Sequence, residues 1–174
     1  MIYFTADTHF CHAKVIDMCK RPFENIEEMT ETLIERWNDR VKVNDDIYIL
    51  GDFIHRGNGI DANEILCRLN GRKYLIKGNH DEFLKEKAFN NSLLEFVKDY
   101  HVLKYHKKKF VLFHYPILEW DGFFRDSVHL YGHLHNHTKS HHQRAINVGV
   151  DVQDFRPVSI DEVIEMQLNM VVGD

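Results

Sequence analysis

The chain has 174 residues, 44% of them hydrophobic, and its 22 Lys and Arg against 27 Asp and Glu leave a formal net charge of −5. That length suffices for one domain with a buried core, and the acidic balance excludes a general electrostatic grip on nucleic acid. The three cysteines, Cys11, Cys19 and Cys67, lack CxxC spacing, which excludes a disulfide framework and a thiolate zinc site.

The first run, residues 2–6, is a short apolar β segment that leads directly into Asp7. It has no basic segment before it, and no stretch of the chain approaches the ~20 apolar residues of a membrane span. A cytoplasmic protein with nothing cleaved is therefore expected. Asn25-x-x-Glu28 is a capping signal, and Ile26, Met29, Leu33, Trp37 and Val41 follow at helical spacing. Residues 46–50 form the next strand, 61–69 a second helix and 74–76 a third strand, with a short helix after Asp81. This β-α-β-α-β rhythm predicts parallel strands in a layered α/β fold. Beyond residue 100 the pattern changes to short β runs near 100–105, 109–113, 127–131 and 145–149, with Lys107-Lys108-Lys109 as a charged hairpin turn. Such a series suits antiparallel strands in a second sheet. Ser159-x-x-Glu162 then caps a final short helix. The fold class expected is α/β, a two-sheet sandwich flanked by helices in four layers, α/β/β/α, forming one domain over residues 1–174.

Metal-ligand residues recur where these strands end: Asp7-x-His9, Gly51-Asp52, Gly78-Asn79-His80-Asp81, His114 and Gly132-His133-x-His135. Side chains converge beyond the carboxyl ends of strands in α/β sheets, so these clusters describe one shared site. Taken singly, Gly-Asp is an ordinary strand exit, Asn79 a turn former and His-x-His two imidazoles on one strand face. Carboxylate, amide and imidazole donors without thiolate suit Mn²⁺, Fe²⁺ or Zn²⁺. Two ions ~3.5–4 Å apart, bridged by a carboxylate, are the expected arrangement.

The ordered set Asp-x-His, Gly-Asp, Gly-Asn-His-Asp, His and Gly-His-x-His, over residues 7–135, resembles the calcineurin-like metallophosphoesterase superfamily. The extended string from Asp7 to His12, with Lys20-Arg21-Pro22-Phe23 and Gly51-Asp52-Phe53, is similar to its short bacterial and phage members. The resemblance implies one metal held by Asp7, His9 and His135, a second held by Asn79, His114 and His133, and Asp52 bridging both. Mn is the metal expected, with Fe, Zn, Ni or Co as alternatives. The resemblance also implies that His80 is catalytic, giving a proton to the leaving oxygen or stabilising it as a cation. Asp81 either orients His80 or caps the following helix. Protein phosphatases of the superfamily have Asp at the position of His55 and a phosphate-gripping Arg at that of Arg56. His at 55 is similar instead to repair nucleases and phosphodiesterases, which puts protein phosphatase activity in doubt.

His12, His55, Arg56 and Arg21 are candidate substrate contacts, with a solvated surface Arg56 as the bland alternative. Residues 10–24 and 115–127 carry Lys14, Lys20, Trp120, Phe123, Phe124 and Arg125, able to hold phosphate and stack a base, or else to form a rim and a small core. Tyr115-Pro116 is expected to shape the pocket wall. His101, His106, His129, His137, His141 and His142 read as ordinary strand and loop residues. The expected function is a dinuclear phosphoester hydrolase using an activated hydroxide, a phosphodiesterase by preference, acting on a small or nucleotide-like substrate. Phosphomonoesterase, nuclease and a non-enzymatic interaction scaffold are the alternatives. Nucleic acid is a less favoured partner, no membrane is expected, and the sequence leaves the oligomeric state open.

Overall fold

The computed structural model describes residues 1–137 and 142–172 and contains two sheets. The first holds β1 (Ile2–Thr5), β2 (Asp46–Ile49), β3 (Arg72–Ile76), β4 (Phe96–Lys98) and β9 (Val158–Ser159) in the order β4-β3-β2-β1-β9. Strands β1 to β4 pair in parallel, and β9 runs antiparallel to β1. The second sheet has the order β5-β6-β7-β8, from β5 (Tyr100–Tyr105), β6 (Lys108–Phe113), β7 (Ser127–Tyr131) and β8 (Ala145–Asn147).

Helix α1 (Lys14–Cys19), α2 (Ile26–Arg40) and α3 (Gly59–Arg68) cover the outer face of the first sheet. Helix α2 starts where the sequence places it, because the Asn25 side chain accepts a hydrogen bond from the Glu28 amide. Its Met29, Leu33 and Trp37 bury one helical stripe against Ile47, Ile49 and Leu75, each burial stabilising by roughly 1.5–3 kcal/mol. Helix α3 begins two residues earlier than expected, since Asn58 and Asp61 form a reciprocal capping box. The intervening residues of β1, β2 and β3 point the other way. Phe4, Tyr48, Leu50 and Ile76 meet Phe110, Leu112, Val128, Leu130 and Ile146 of the second sheet in an inter-sheet core. Ser159 and Glu162 cap α4 (Ile160–Val172), which lies against β9, β1 and β8 and adds Ile160 and Val163 to that core.

The layer outside the second sheet is irregular, and residues near Trp120 build it. Trp120 packs on Val111, Tyr131 and Ala145, with Ile117, Phe123 and Leu134 around it, and its indole N–H donates to Ser127 Oγ at 3.0 Å. Trp120 and Phe123 are therefore a small core, while Phe124 is 85% exposed.

One expectation fails with functional consequence. Within the second sheet, β5–β6 is the antiparallel pair; β6–β7 and β7–β8 are parallel. The connections after β6 and β7 are long enough for crossovers, which parallel pairing requires. Parallel pairing puts the carboxyl ends of β6, β7 and β8 on the same edge, where antiparallel strands would have sent His114 and His133 to opposite edges. A parallel bridge between Ala6 and Gly149 joins that edge to the end of β1. Among the described residues, no helix is long and apolar enough to cross a membrane.

Candidate metal centre

Every expected ligand follows a strand end at this shared edge: Asp7 and His9 after β1, Asp52 after β2, Asn79 after β3, His114 after β6, and His133 and His135 after β7. Donor atoms of Asp7, His9 and His135 lie within 4.8 Å of one another, as do those of Asp52, His114 and His133. Asn79 joins the second group, with Oδ1 3.1 Å from His114 Nε2 and 3.0 Å from His133 Nδ1. Asp52 stands between the groups, its Oδ2 3.5 Å from His9 Nε2 and 3.6 Å from His114 Nε2.

The backbone holds this arrangement at some cost. Asp7, His9, Asp52, His133 and His135 all adopt left-handed φ values, from 49° to 67°, a conformation that non-glycine residues keep only where surrounding contacts over-determine it. Those contacts are hydrogen bonds between the motifs. The His133 amide donates to both oxygens of Asp7 at 3.0 and 2.9 Å, and the His80 amide to Asp52 Oδ1 at 2.9 Å. The Asp7 amide donates to Gly51 O and the His9 amide to Asp52 O, both at 3.0 Å. Asp81 is buried and accepts from the amides of Gly78 (2.7 Å), Phe53 (2.8 Å) and Asp52 (3.0 Å). It thus ties the Asp52 and Asn79 loops together, and its side chain does not cap the 3-10 turn at Glu82–Lys85.

Two glycines are required by the closeness of these loops. A Cβ on Gly78 would fall 2.2 Å from Asp52 Oδ1, and one on Gly132 would fall 2.5 Å from Asp7 Oδ2. Gly132→Ala is expected to push the Asp7 carboxylate aside and lower both Mn²⁺ affinity and turnover, the latter by about 10²-fold. Calorimetric Mn²⁺ titration and steady-state kinetics on the folded variant check this.

The donor chemistry fits divalent cations. Asp7 is fully buried, and burial, opposed by His135 and the His133 amide, pushes its carboxyl up to about 7. Both ring nitrogens of His9 are buried without a hydrogen-bond partner, and burial holds its imidazole well below the usual range. A carboxylate so desolvated and an imidazole so bare are the state in which each group ligates a cation, whose charge offsets the desolvation. His114 Nδ1 donates to the Leu50 carbonyl at 2.7 Å, which leaves Nε2 for the site. Burial foremost, opposed by Asp52, lowers the His114 imidazole from its ordinary value.

The other expected site residues divide. His80 is half-buried at the rim, its ring 3.9 Å from that of His55 and 5.6 Å from that of His9. The buried His12 ring lies 4.4 Å from His55 and 5.5 Å from His9. Arg56 is exposed on the loop after β2, at φ 69°; burial foremost, then the neighbouring imidazoles and the Arg56 charge, hold His12 and His55 below the ordinary imidazole value. Arg21 does not face the solvent side of the site, which corrects its assignment as a substrate contact. Its side chain is fully buried and uses all five N–H groups on Asp151 Oδ1 and Oδ2, Thr8 O, Asp7 O and Met29 Sδ. The ring nitrogens of His129 lie 3.1 Å from Val111 O and 3.1 Å from Tyr115 O, so its one N–H serves a backbone carbonyl in the interior, and His141 lies outside the described residues. Tyr115 does flank the site, its ring 4.6 Å from that of His133, beside a cleft of about 400 Å³ lined by Lys77, Asn79, Lys85 and Phe113.

Sequence reasoning missed two neighbours of His135. Asp151 Oδ2 lies 2.7 Å from His135 Nδ1, and buried Cys19 forms a compact group with the same pair. Gly149-Val150-Asp151 after β8 places a carboxylate two residues past a glycine, one residue further than at Gly51-Asp52, and that partial likeness was the available signal. Cys19 carried none, since it ends α1, a helix of six residues that is too short to show a period.

Comparison with known proteins agrees with this architecture. Residues 1–152 match the family model for calcineurin-like phosphoesterases. An uncharacterized protein of Methanocaldococcus jannaschii is 37% identical over 171 residues, covering 95% of this chain and 90% of its own length. The Gene 66 protein of Mycobacterium phage L5 is 26% identical over 197 residues, covering 94% and 92% respectively. Among solved structures, a protein of unknown function from Aquifex aeolicus superposes with a TM-score of 0.75 at 26% identity, over 95% of this chain and 98% of that one. A novel archaeal phosphodiesterase shares the fold with a TM-score of 0.52 at 19% identity, over 91% and 98%. With the motifs gathered at one sheet edge and the family model spanning all of them, the chain belongs to the calcineurin-like phosphoesterases, metal-dependent hydrolases of phosphate esters.

Proposed function

We propose that this single domain, residues 1–174, is a phosphodiesterase that uses two divalent cations, Mn²⁺ foremost, on a small or nucleotide-like phosphodiester. The observation that carries the two-ion reading is Asp52 Oδ2, nearly equidistant from His9 and His114 at 3.5 and 3.6 Å. Asp7, His9 and His135 would hold one ion, Asn79, His114 and His133 the other, and Asp52 both. When bound, the pair supplies charge neutralisation for the phosphoryl oxygens and a water acidic enough to attack at neutral pH.

The chain's own residues supply the rest. His80 is anchored through its amide to Asp52 Oδ1, and its side chain lies outside the groups that would hold the ions, so its imidazole would be left free to face the reacting phosphorus. Its task is to place a proton on the departing oxygen. An ester with an alkoxide leaving group needs that proton more than one whose leaving group departs easily; the diester preference rests on His55, where the chain resembles the phosphodiesterase branch. His12 and His55 extend the imidazole wall from His9 to His80 and would orient the substrate's non-bridging oxygens.

Hydrolysis of bis-p-nitrophenyl phosphate and p-nitrophenyl phosphate with Mn²⁺ tests the preference. The expected result is a kcat/KM for the diester about tenfold or more above that for the monoester. A preference for the monoester would assign the chain to the phosphomonoesterases.

A further inference from the structure

Beside the residues already given roles, one buried assembly recurs in the contacts of the first ligand group. Asp151 reaches it because the segment after β8 is stitched to the end of β1: Ala6 bridges Gly149, and the Val150 amide donates to Ala6 O at 3.0 Å. Its carboxylate then meets two partners. Arg21 Nε and Nη2 grip it in a fork at 2.8 and 2.9 Å, and His135 Nδ1 lies 2.7 Å from Oδ2. The same guanidinium donates to the carbonyls of Asp7 (2.7 Å) and Thr8 (2.9 Å). One buried cation therefore fixes both the loop that presents Asp7 and the carboxylate that faces His135.

We propose that Asp151, held by Arg21, is a positioning residue for the Asp7–His9–His135 ion: it accepts the Nδ1 proton of His135 and leaves Nε2 as the nitrogen offered to the metal. His114 is held the same way by a backbone carbonyl, Leu50 O, so each ion has one imidazole whose far nitrogen is pinned. A carboxylate raises the basicity of the ligating nitrogen as well as orienting the ring, and loss of such a partner typically weakens metal affinity by about 10–100-fold. The effect falls on one ion only, since among the described residues the Asp151 carboxylate bonds Arg21 and His135 and not Asn79, His114 or His133.

This inference rests on the two-ion reading above, and Mn²⁺ calorimetry separates their failures. Wild type, Asp151→Ala, Asp151→Asn and His135→Ala are titrated after chelator treatment, with circular dichroism and the metal-free Tm recorded for each. Wild type is expected to bind two ions. Asp151→Ala should bind one of them about 10–100-fold more weakly and the other within about threefold of wild type, with the loss in His135→Ala at least as large on the same ion. The isosteric Asp151→Asn keeps an acceptor for Nδ1–H without its charge and should fall between, about 3–10-fold on that ion alone. This graded, one-ion pattern is not what general damage produces, and Asp151→Asn decides the matter if the alanine variant does not fold. Unchanged affinity for both ions in the asparagine variant, or equal loss of both, would overturn the inference while leaving the two-ion reading in place. Fewer than two ions in wild type would overturn both.

Discussion

Asp52→Asn is expected to lower phosphodiester kcat/KM by about 10³-fold, the loss of roughly 4 kcal/mol of transition-state stabilisation. The substitution is isosteric, so the His80 amide keeps an acceptor at Oδ1 and Asp81 still accepts the residue-52 amide. What disappears is the negative charge between His9 and His114, which in the proposed centre would hold both ions. The variant should therefore fold, bind Mn²⁺ more weakly at both positions, and recover little at high metal. Kinetics over a Mn²⁺ series check this, and activity within tenfold of wild type would remove Asp52 from the centre of the mechanism.

His80→Ala is expected to reduce kcat by about 10²–10⁴-fold on a diester with an alkyl leaving group, the usual range for a missing general acid. The loss should shrink on a p-nitrophenyl diester, whose leaving oxygen needs less protonation. Metal stoichiometry should stay at the wild-type value, because the His80 side chain lies outside both ligand groups. Parallel kinetics on the two leaving groups, with metal analysis, distinguish a proton donor from a structural residue; equal losses on both substrates would argue against proton transfer.

How much of this could be read from the sequence follows from what each element depends on. Helix α2 was legible because its cap and its apolar stripe are local. The candidate ligand motifs were legible because each is a strand exit made of metal-ligating residue types; that those of the second sheet share one edge follows from parallel pairing, which short runs do not reveal. Strands β4 and β9, of three and two residues, exist only through pairing with β3 and β1, and so carry no period of their own. The direction of β7 and β8 was missed because short alternating runs look alike whichever way they are paired, and the crossovers that decide it have no helical signature. Arg21 was misread for a related reason. A basic residue in a loop beside a ligand motif suggests phosphate, and nothing local reveals that Asp151, far along the chain, neutralises it in the interior.

The most direct measurement is anomalous diffraction from a Mn²⁺-loaded crystal, collected near the manganese edge. Two peaks are expected, one among Asp7, His9 and His135 and one among Asn79, His114 and His133, with the Asp52 carboxylate touching both. A lone peak, or one seated among Cys19, His135 and Asp151, would contradict the dinuclear centre.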